Sequence, residues 1–417
     1  MAQLSDDCFA FGGALLPIEA ARTLIFERVG VVAGVETIGL AQADGRTLAE
    51  PVTAPFNVPG FTNSAVDGYA VRFDDLAGDA ETRLVVDGRI AAGHASADTL
   101  AIGRAARIFT GAVMPEGADT VIMQEDCRED GTAVFIRPGI RRGANRRLAG
   151  EDIAAGTVAL AAGRRLGPAE VGLLAALGHA AVPVRRRLSV GLFSTGDELR
   201  EPGTTLAPGQ IYDANRFMLA GMLARAGALV ADGGILPDRP GPLAEALVAA
   251  AAQHDLIITS GGVSTGEEDH VRNVMDAHGS LFFWRLAIKP GRPVALGQIG
   301  GTPLIGLPGN PVAALITFVA VARPLIEAMT GTLPHVPRRS PAVSGFAYKK
   351  KRDRREYVRV SLEPGDGGLP RLRRFPKEGA GLLTSVTETD GLAELPETLT
   401  RLEPGMAVDF IPYGELL

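Results

Sequence analysis

The chain has 417 residues, more than one hydrophobic core usually organises, and we expect two to four domains. Hydrophobic residues make up 46% and charged residues 22%, a composition typical of globular domains and unlike that of disordered or collagen-like chains. The net charge of −6 argues against the basic field of a nucleic-acid-binding protein.

Cysteine content and the N-terminus indicate the cytoplasm. The two cysteines, Cys8 and Cys127, cannot form a disulfide framework. The N-terminal "MAQLSDDCFAFGG" has no basic stretch before an apolar one, so a signal peptide is not expected. The longest apolar run, Val312–Ala322, is too short to cross a bilayer and predicts a buried helix.

The first third of the chain predicts a helix followed by β-structure. "LPIEAARTLIFERV" (Leu16–Val29) is helical in pattern, with Pro17 near its start. From about Ala54 to Arg147, short apolar runs alternate with glycine-containing turns, which predicts an all-β region. A second helical stretch, "GPAEVGLLAALG", follows.

From Arg187 the pattern changes to alternating strands and helices, which predicts a doubly wound α/β sheet. The predicted strands are Leu188–Phe193, Ala228–Ile235, Asp255–Thr259 and Pro303–Leu307. The predicted helices are Asp213–Ala226, Pro242–His254, Asp269–His278 and Pro311–Met329. After Gly331, "TLPHVPRRSP" predicts a linker, and Ala342–Leu417 predicts a small β-barrel or sandwich.

Acidic side chains follow three of the predicted parallel strands. Asp197 and Glu198 come after the first strand, Asp238 after the second, and Glu267–Asp269 after the third. Ligands of open α/β sheets bind beyond these strand ends, and Mg²⁺ prefers oxygen ligands. Each loop alone fits a turn whose acids cap a helix, but three such loops on one edge favour a site. The glycines of "SGGVSTG" (Ser260–Gly266) add a loop suited to binding phosphate.

Two basic segments complete the candidate chemistry. "FFWRLAIKPGRP" carries Arg285, Lys289 and Arg292, which fit a clamp for an oxyanion or an ordinary solvated surface. "YKKKRDRREYVR" (Tyr348–Arg359) holds seven basic and two acidic residues. It suits a solvated hairpin rim or a contact with a phosphorylated small molecule better than a nucleic-acid surface.

Together these segments resemble a known family. The chain contains, in order, "NSAVDGYAV", "FTGAVMPEGADTVI", "NRRLAGEDI", "FSTGDEL", "ITSGGVSTGEEDH", "WRLAIKPGRP" and "GLPGNP". This series resembles the molybdopterin molybdenumtransferases, a family that also includes the C-terminal domain of gephyrin. The resemblance covers nearly the whole chain.

The resemblance implies a multidomain α/β plus β fold and an elongated homodimer. A discontinuous N-terminal domain (1–53 and 148–186) would be split by an inserted β domain (54–147). A central doubly wound α/β domain that binds molybdopterin (187–332) and a small C-terminal β domain (333–417) would follow. The active site would lie between the α/β domain of one subunit and other domains of its partner.

The resemblance also implies a reaction in which adenylylated molybdopterin and molybdate give molybdenum cofactor and AMP, with a divalent metal, here expected to be Mg²⁺. Glu198, Asp238 and Asp269 would surround the metal. They would act as catalytic residues together with Asp67, Thr110 and Lys289. Substrate binding would involve Arg146, Ser260, Gly261, Gly262, Ser264, Gly266, Arg285, Arg292, Pro308, Asn310 and Arg359. The molybdopterin adenylyltransferase is a further expected partner, whereas nucleic acid and membranes are not.

The sequence departs from the family pattern at two positions, and two other functions are alternatives. Arg285 stands where the family often has lysine, and Ala380 in "EGAGLL" stands where it often has serine. The second change removes a hydroxyl group from a candidate substrate contact. The alternative functions are a non-catalytic dimeric scaffold for partner peptides and the preceding adenylyl transfer to molybdopterin. The acids beyond the strands argue against the scaffold, and the added β domains argue against the adenylyl transfer.

Overall fold

The structure is a computed structural model that describes residues 15–94, 98–237, 239–262, 270–365 and 368–416, with the side chains of residues 272, 283 and 284 excepted. Four of the predicted site residues lie outside the described residues: Asp238, Ser264, Gly266 and Asp269.

The described helices and strands are numbered in chain order. The helices are α1 Ile18–Arg28, α2 Pro168–Ala176, α3 Asn215–Arg225, α4 Pro240–Gln253, α5 His270–His278, α6 Pro311–Thr317, α7 Arg323–Thr330 and α8 Thr384–Thr387. The strands are β1 Val35–Gly39, β2 Val52–Thr53, β3 Asn63–Ser64, β4 Gly68–Val71, β5 Thr82–Ile90, β6 Arg104–Ile108, β7 Thr120–Met123, β8 Cys127–Asp130, β9 Ala133–Ile136, β10 Arg146–Arg147, β11 Val158–Leu160, β12 Ala181–Arg185, β13 Ser189–Thr195, β14 Leu199–Arg200, β15 Ile211–Tyr212, β16 Leu229–Leu236, β17 Leu256–Ser260, β18 Gly279–Arg285, β19 Ile288–Lys289, β20 Pro293–Ile299, β21 Thr302–Leu307, β22 Ser340–Ser344, β23 Tyr348–Lys349, β24 Arg355–Glu363, β25 Arg371–Arg374, β26 Gly391–Leu395, β27 Arg401–Leu402 and β28 Ala407–Pro412.

Two separated pieces of chain form one N-terminal unit. Strand β1 pairs antiparallel with β12, and β2 pairs with β11, so residues from both sides of the β-rich region meet. Leu48 from the first piece packs in one hydrophobic cluster with Leu166, Leu174 and Val184 from the second. Because both pieces contribute to this core, the β-rich region between them is an insertion.

The inserted unit is a six-stranded sheet with the order β7-β4-β6-β5-β9-β8. Strand β4, the second in this order, is buried along its whole length, in keeping with its unbroken run of apolar and small residues. Tyr69 and Val71 pack into a cluster on one side of the sheet, and Ala70 packs into a second cluster. The alternation follows the two-residue period of a β-strand.

The α/β unit holds a six-stranded sheet with the order β16-β13-β17-β21-β20-β18. The first four strands are parallel, and β20 and β18 extend the sheet as an antiparallel edge. Residues of α3 pack with one hydrophobic cluster and residues of α4 and α5 with another, so helices cover both faces. The predicted doubly wound α/β domain is confirmed.

The C-terminal strands close into a small barrel. The order β24-β25-β22-β28-β26 returns to β24 through a β24–β26 pairing. Of the two architectures left open by the sequence, the barrel is the one observed. Strand β19 of the α/β unit pairs in parallel with β24 of the barrel. This pairing brings residues of the two units together along one cleft.

The segment Pro311–Thr330 is a continuous helical stretch of α6, a π-helical turn at Phe318–Ala322, and α7. It has the length and hydropathy of a membrane span, but 94% of its most apolar window is buried inside the protein. The prediction of a buried helix is confirmed.

Candidate active site

A cleft of about 700 Å³ opens at the carboxyl ends of β13, β17 and β21, and we name it the strand-end cleft. Parallel strands end together at this edge, where α/β proteins bind their ligands. Its lining includes Thr195, Glu198, Asp213, Asn215, Ser260, Gly261, Gly262, Pro308 and Asn310. Glu198, Ser260, Gly261, Gly262, Pro308 and Asn310 were predicted as site residues, and the structure brings them together here.

Glycine is required where β17 enters this cleft. Gly261 has φ +94°, and a Cβ at this position would lie 2.4 Å from the carbonyl oxygen of Thr195. Gly262 has φ +66°, and its Cβ would lie 2.7 Å from the side chain of Val271. Both positions therefore combine a backbone conformation that favours glycine with a close approach by neighbouring atoms. The loop can turn tightly into the cleft only because both residues lack side chains.

Asn215, the first residue of α3, joins two loops of the cleft. Its Nδ2 donates hydrogen bonds to Ser260 Oγ and to the carbonyl oxygen of Gly309, each at 2.8 Å. Within the described parts of the chain, its Oδ1 and the hydroxyl of Thr195 have no hydrogen-bond partner although both are buried. Buried polar atoms are normally paired, so these two oxygens are free to contact a ligand at the strand ends.

The start of α3 is held by a buried arginine. Arg216 is 4% exposed and forms ion pairs with Asp213 (3.1 Å), Glu201 (2.5 Å) and Asp232. Burial alone would lower the pKa of Arg216, but its hydrogen bonds with the three carboxylates outweigh that effect and raise it. A buried charge paired on several sides fixes the Asp213–Asn215 loop against β16.

Of the three acids predicted as metal ligands, the structure describes only Glu198. Glu198 lines the strand-end cleft and is exposed there. Asp238 and Asp269 lie outside the described residues, and within the described ones no group of three or more His, Cys, Asp or Glu side chains is arranged to hold a metal. The carboxylate of Glu198 and the unpaired oxygens of Thr195 and Asn215 are the donor type that Mg²⁺ takes, so this part of the site fits the ion.

A second cleft of about 470 Å³ lies between the α/β unit and the barrel, and we name it the basic cleft. It shares Pro293, Pro308 and Asn310 with the strand-end cleft, so the two adjoin. Its described lining contains one acidic side chain, Glu378, and the basic side chains of Lys289, Arg292, Arg354, Arg359, Arg374 and Lys377. This excess of positive charge makes the cleft suitable for an oxyanion.

Arg359 is held in this cleft by two hydrogen bonds within the barrel. Its Nε donates to Ser385 Oγ at 3.1 Å, and its Nη2 donates to the carbonyl oxygen of Gly379 at 3.0 Å. Burial lowers the pKa of the Arg359 guanidinium. Ala380, the position where the family pattern often has serine, lines the same cleft, so this departure changes the wall of the candidate site.

Asp67 and Thr110 form a separate pair on the inserted unit. Asp67 Oδ1 accepts hydrogen bonds from Thr110 N at 2.8 Å and from Thr110 Oγ1 at 2.7 Å. These two bonds hold the pKa of the Asp67 carboxyl below its usual value, so it is ionised at neutral pH. Neither residue is among the described residues that line the two clefts.

The two remaining predicted residues are also not among the described residues that line the clefts. Arg146 is in β10, which pairs with β3 at Ser64. Arg285 is exposed at the end of β18. Whether either residue contacts substrate remains a prediction.

Sequence reasoning missed several residues that the structure adds to the site. Asn215 lines the strand-end cleft and Tyr348, Arg374 and Lys377 line the basic cleft, and none of the four is a predicted site residue. Asn215 lies inside the predicted helix Asp213–Ala226, and a single polar residue in a helical pattern does not indicate a contact between two distant loops. The basic segment Tyr348–Arg359 was noted as a candidate contact for a phosphorylated small molecule, and Tyr348, Arg354 and Arg359 line the basic cleft.

The open α/β sheet and the cleft beyond its strand ends place the protein in the class of α/β proteins that bind a ligand at this edge of the sheet. Three family models match consecutive parts of the chain: the MoeA N-terminal region (domain I and II) at 16–178, a probable molybdopterin binding domain at 191–328, and the MoeA C-terminal region (domain IV) at 341–413. The chain is 38% identical to the molybdopterin molybdenumtransferase of Haemophilus influenzae over 406 residues, which cover 97% of this chain and 100% of that protein.

A second relative and a solved structure point to the same family. Molybdopterin molybdenumtransferase 2 of Mycobacterium tuberculosis is 38% identical over 380 residues, covering 88% of this chain and 93% of the relative. The crystal structure of a molybdopterin biosynthesis moeA protein from Pyrococcus horikoshii superimposes with a TM-score of 0.80 at 28% identity, covering 96% of this chain and 100% of that one. The chain belongs to the molybdopterin molybdenumtransferase family.

Proposed function

We propose that this transferase inserts molybdenum from molybdate into adenylylated molybdopterin, with release of AMP and with Mg²⁺ as the divalent metal. Family membership carries the transferase activity and the insertion of molybdenum. The observation that carries the finer statement is the pair of adjoining clefts, one with glycine loops and a carboxylate, the other with an excess of cations. We further propose a cytoplasmic homodimer, and the molybdopterin adenylyltransferase as a partner that delivers substrate.

The strand-end cleft would bind the phosphates of the adenylylated substrate. Ser260 Oγ already accepts a hydrogen bond from Asn215, so its own hydroxyl hydrogen is available to a phosphate oxygen. Gly261 and Gly262 keep side chains out of the space beside it. Glu198, together with Asp238 and Asp269, would hold Mg²⁺, which when bound neutralises charge on the pyrophosphate and on the departing AMP.

The basic cleft would bind molybdate. Molybdate is a small tetrahedral dianion, and the carboxylates of a metal site would repel it unless fixed cations lay nearby. Lys289, Arg292 and Arg359 supply such charge in the described lining of the cleft. Since Pro308 and Asn310 border both clefts, an oxyanion in one would lie next to a pyrophosphate in the other.

The test is a reconstituted reaction. Purified protein is mixed with adenylylated molybdopterin, Mg²⁺ and varied molybdate, and AMP and active cofactor are measured together. We expect AMP release to require both molybdate and the metal, and to stop when a chelator removes the metal. AMP release that proceeds unchanged without a divalent metal would contradict the proposed role of the acids.

Lys289→Met tests the basic cleft separately. The substitution keeps most of the side-chain length but removes the ammonium charge, so we expect a higher half-saturating molybdate concentration that excess molybdate partly overcomes. An unchanged molybdate dependence would mean that Lys289 does not bind the oxyanion.

A further inference from the structure

The ammonium group of Lys289 is held from the barrel side of the basic cleft. Lys289 Nζ donates a hydrogen bond to the hydroxyl oxygen of Tyr348 at 3.2 Å and lies 3.5 Å from Glu356 Oε2. The Tyr348 hydroxyl in turn donates to Glu356 Oε2 at 2.7 Å. Lysine, hydroxyl and carboxylate therefore form a closed triangle that joins the α/β unit to the barrel.

The carboxylate of Glu356 is buried, and both of its oxygens have partners. The Glu356 side chain is 1% exposed, and its other oxygen, Oε1, pairs with Arg354 at 2.6 Å. The parallel pairing of β19 with β24 places Lys289 opposite Glu356. A buried carboxylate paired on both oxygens does not move freely, so it is a fixed reference point for the lysine.

We propose that Tyr348 and Glu356 are positioning residues for the transferase, which hold the Lys289 ammonium in place for the incoming oxyanion. An ammonium has three N–H donors. Two face Tyr348 and Glu356, and the third remains for the oxyanion. The proposal rests on the proposed function, since it takes Lys289 as a molybdate-binding residue.

These contacts restrict the conformation of the Lys289 side chain and stabilise its positive charge. A free lysine side chain samples many rotamers and loses that freedom when it binds a ligand, whereas an anchored ammonium has lost it already. The triangle also keeps the amine protonated. Burial lowers the pKa of Lys289, but the Tyr348 hydrogen bond and the Glu356 charge outweigh burial and hold it above its usual value. Nearby Arg354 acts in the opposite direction.

Tyr348→Phe isolates the hydroxyl. The guanidinium of Arg374 lies over the Tyr348 ring, 5.0 Å from its centroid, and phenylalanine retains this stacking surface. What is lost is the bridge between Lys289 and Glu356. We expect the half-saturating molybdate concentration to rise roughly five- to tenfold, comparable to the loss of one ordinary hydrogen bond because the direct contact of Lys289 with Glu356 remains, with little change in maximum rate.

A double-mutant cycle distinguishes positioning from a structural role. Molybdate dependence is measured for the unmutated protein, Tyr348→Phe, Lys289→Met and the double variant. If Tyr348 acts through Lys289, removing its hydroxyl changes nothing further once Lys289 is methionine. Folded Glu356→Gln is expected to behave like Tyr348→Phe. In both of these variants, the pH above which molybdate binding is lost should be lower than in the unmutated protein.

Tyr69→Phe is the matched control, because it removes a tyrosine hydroxyl that donates to Glu129 on the inserted unit, where neither residue lines the described part of either cleft, and it should leave the molybdate dependence unchanged. If Lys289→Met itself leaves that dependence unchanged, the proposed function of Lys289 fails. If Lys289→Met raises the half-saturating concentration but Tyr348→Phe does not, only the positioning role is wrong. If Tyr348→Phe raises the half-saturating molybdate concentration equally in the unmutated protein and in Lys289→Met, the positioning role is also wrong.

Discussion

At the scale of single residues, the orientation of one amide decides how the strand-end loops are joined. Asn215 uses its amide nitrogen twice, toward Ser260 and toward the carbonyl oxygen of Gly309. Asn215→Asp would replace that nitrogen with an oxygen, which repels the Gly309 carbonyl and buries a charge. We expect a loss of roughly 1–3 kcal/mol in the free energy of unfolding, measured in urea, and loss of most transferase activity.

Asn57→Asp is the matched control for this prediction. Asn57 uses its amide oxygen, which accepts a hydrogen bond from Ala155 N at 2.8 Å, and aspartate keeps that oxygen. We expect little change in stability. If both variants lose the same stability, or if Asn215→Asp unfolds at the same urea concentration as the unmutated protein, the assigned orientation of the Asn215 amide is wrong.

At the scale of elements, the segment after α7 is anchored by a half-buried histidine. His335 Nε2 lies 3.1 Å from the carbonyl oxygen of Glu415 and 3.7 Å from its carboxylate, and His335 N donates to Glu327 Oε2 at 3.2 Å. Burial, together with the charge of Arg323, lowers the pKa of His335 below its usual value of 6.5, although Glu415 acts in the opposite direction.

The sign of the pH dependence follows from this shift. Below pH 6.5 the unfolded chain takes up a proton on this histidine before the folded chain does, so stability is lost as the pH falls. Glu327 contributes the opposite slope, because burial raises its pKa. His335→Gln removes only the contribution of the histidine to the pH dependence of stability. We therefore expect the unmutated protein to lose more stability than His335→Gln between pH 7 and pH 5 in urea titrations; parallel pH profiles would contradict the shift.

The elements of the α/β unit were predictable because their periodicity is strong. Its parallel strands and their helices begin and end within two residues of the prediction. The edge pair β18 and β20 was not predicted, because the charged segment with Arg285, Lys289 and Arg292 separates its two apolar strands and obscures their pattern. The barrel was predicted only as one of two architectures, since its closure depends on the β24–β26 pairing.

The candidate site was predictable where it follows from strand ends and not where it depends on contacts between units. Glu198 and Ser260 follow directly from the rule that ligands bind beyond parallel strands. The contact of Lys289 with Tyr348 and Glu356 joins residues 59 or more positions apart, and its geometry is set by the β19–β24 pairing. No local sequence pattern encodes such a contact.

At the scale of the whole molecule, the α/β unit and the barrel form one body. A single hydrophobic cluster contains Leu16, Leu256 and Leu392, and Arg355 of the barrel pairs with Glu19 of α1 at 2.9 Å. By contrast, Asp67 and Thr110 lie on the inserted unit, away from the described lining of both clefts. Phe56 and Phe61, near the junction of the insertion, are 45% and 47% exposed. Both observations support the proposed homodimer, in which Asp67 would complete the site of the partner subunit.

We expect light scattering at micromolar concentration to give about twice the chain mass of 43.5 kDa. A monomer with full activity would exclude a shared site.

A mixed dimer tests the shared site directly. At a molybdate concentration well below the half-saturating value of Lys289→Met, this variant and Asp67→Asn should each be nearly inactive alone, because each lacks a proposed site residue. When the two variants are unfolded together and refolded as a mixture, random pairing makes about half of the dimers mixed. Each mixed dimer has one site with neither substitution, so activity should return to about a quarter of the unmutated level. If the site lies within one chain, every site in the mixture stays damaged and activity does not return.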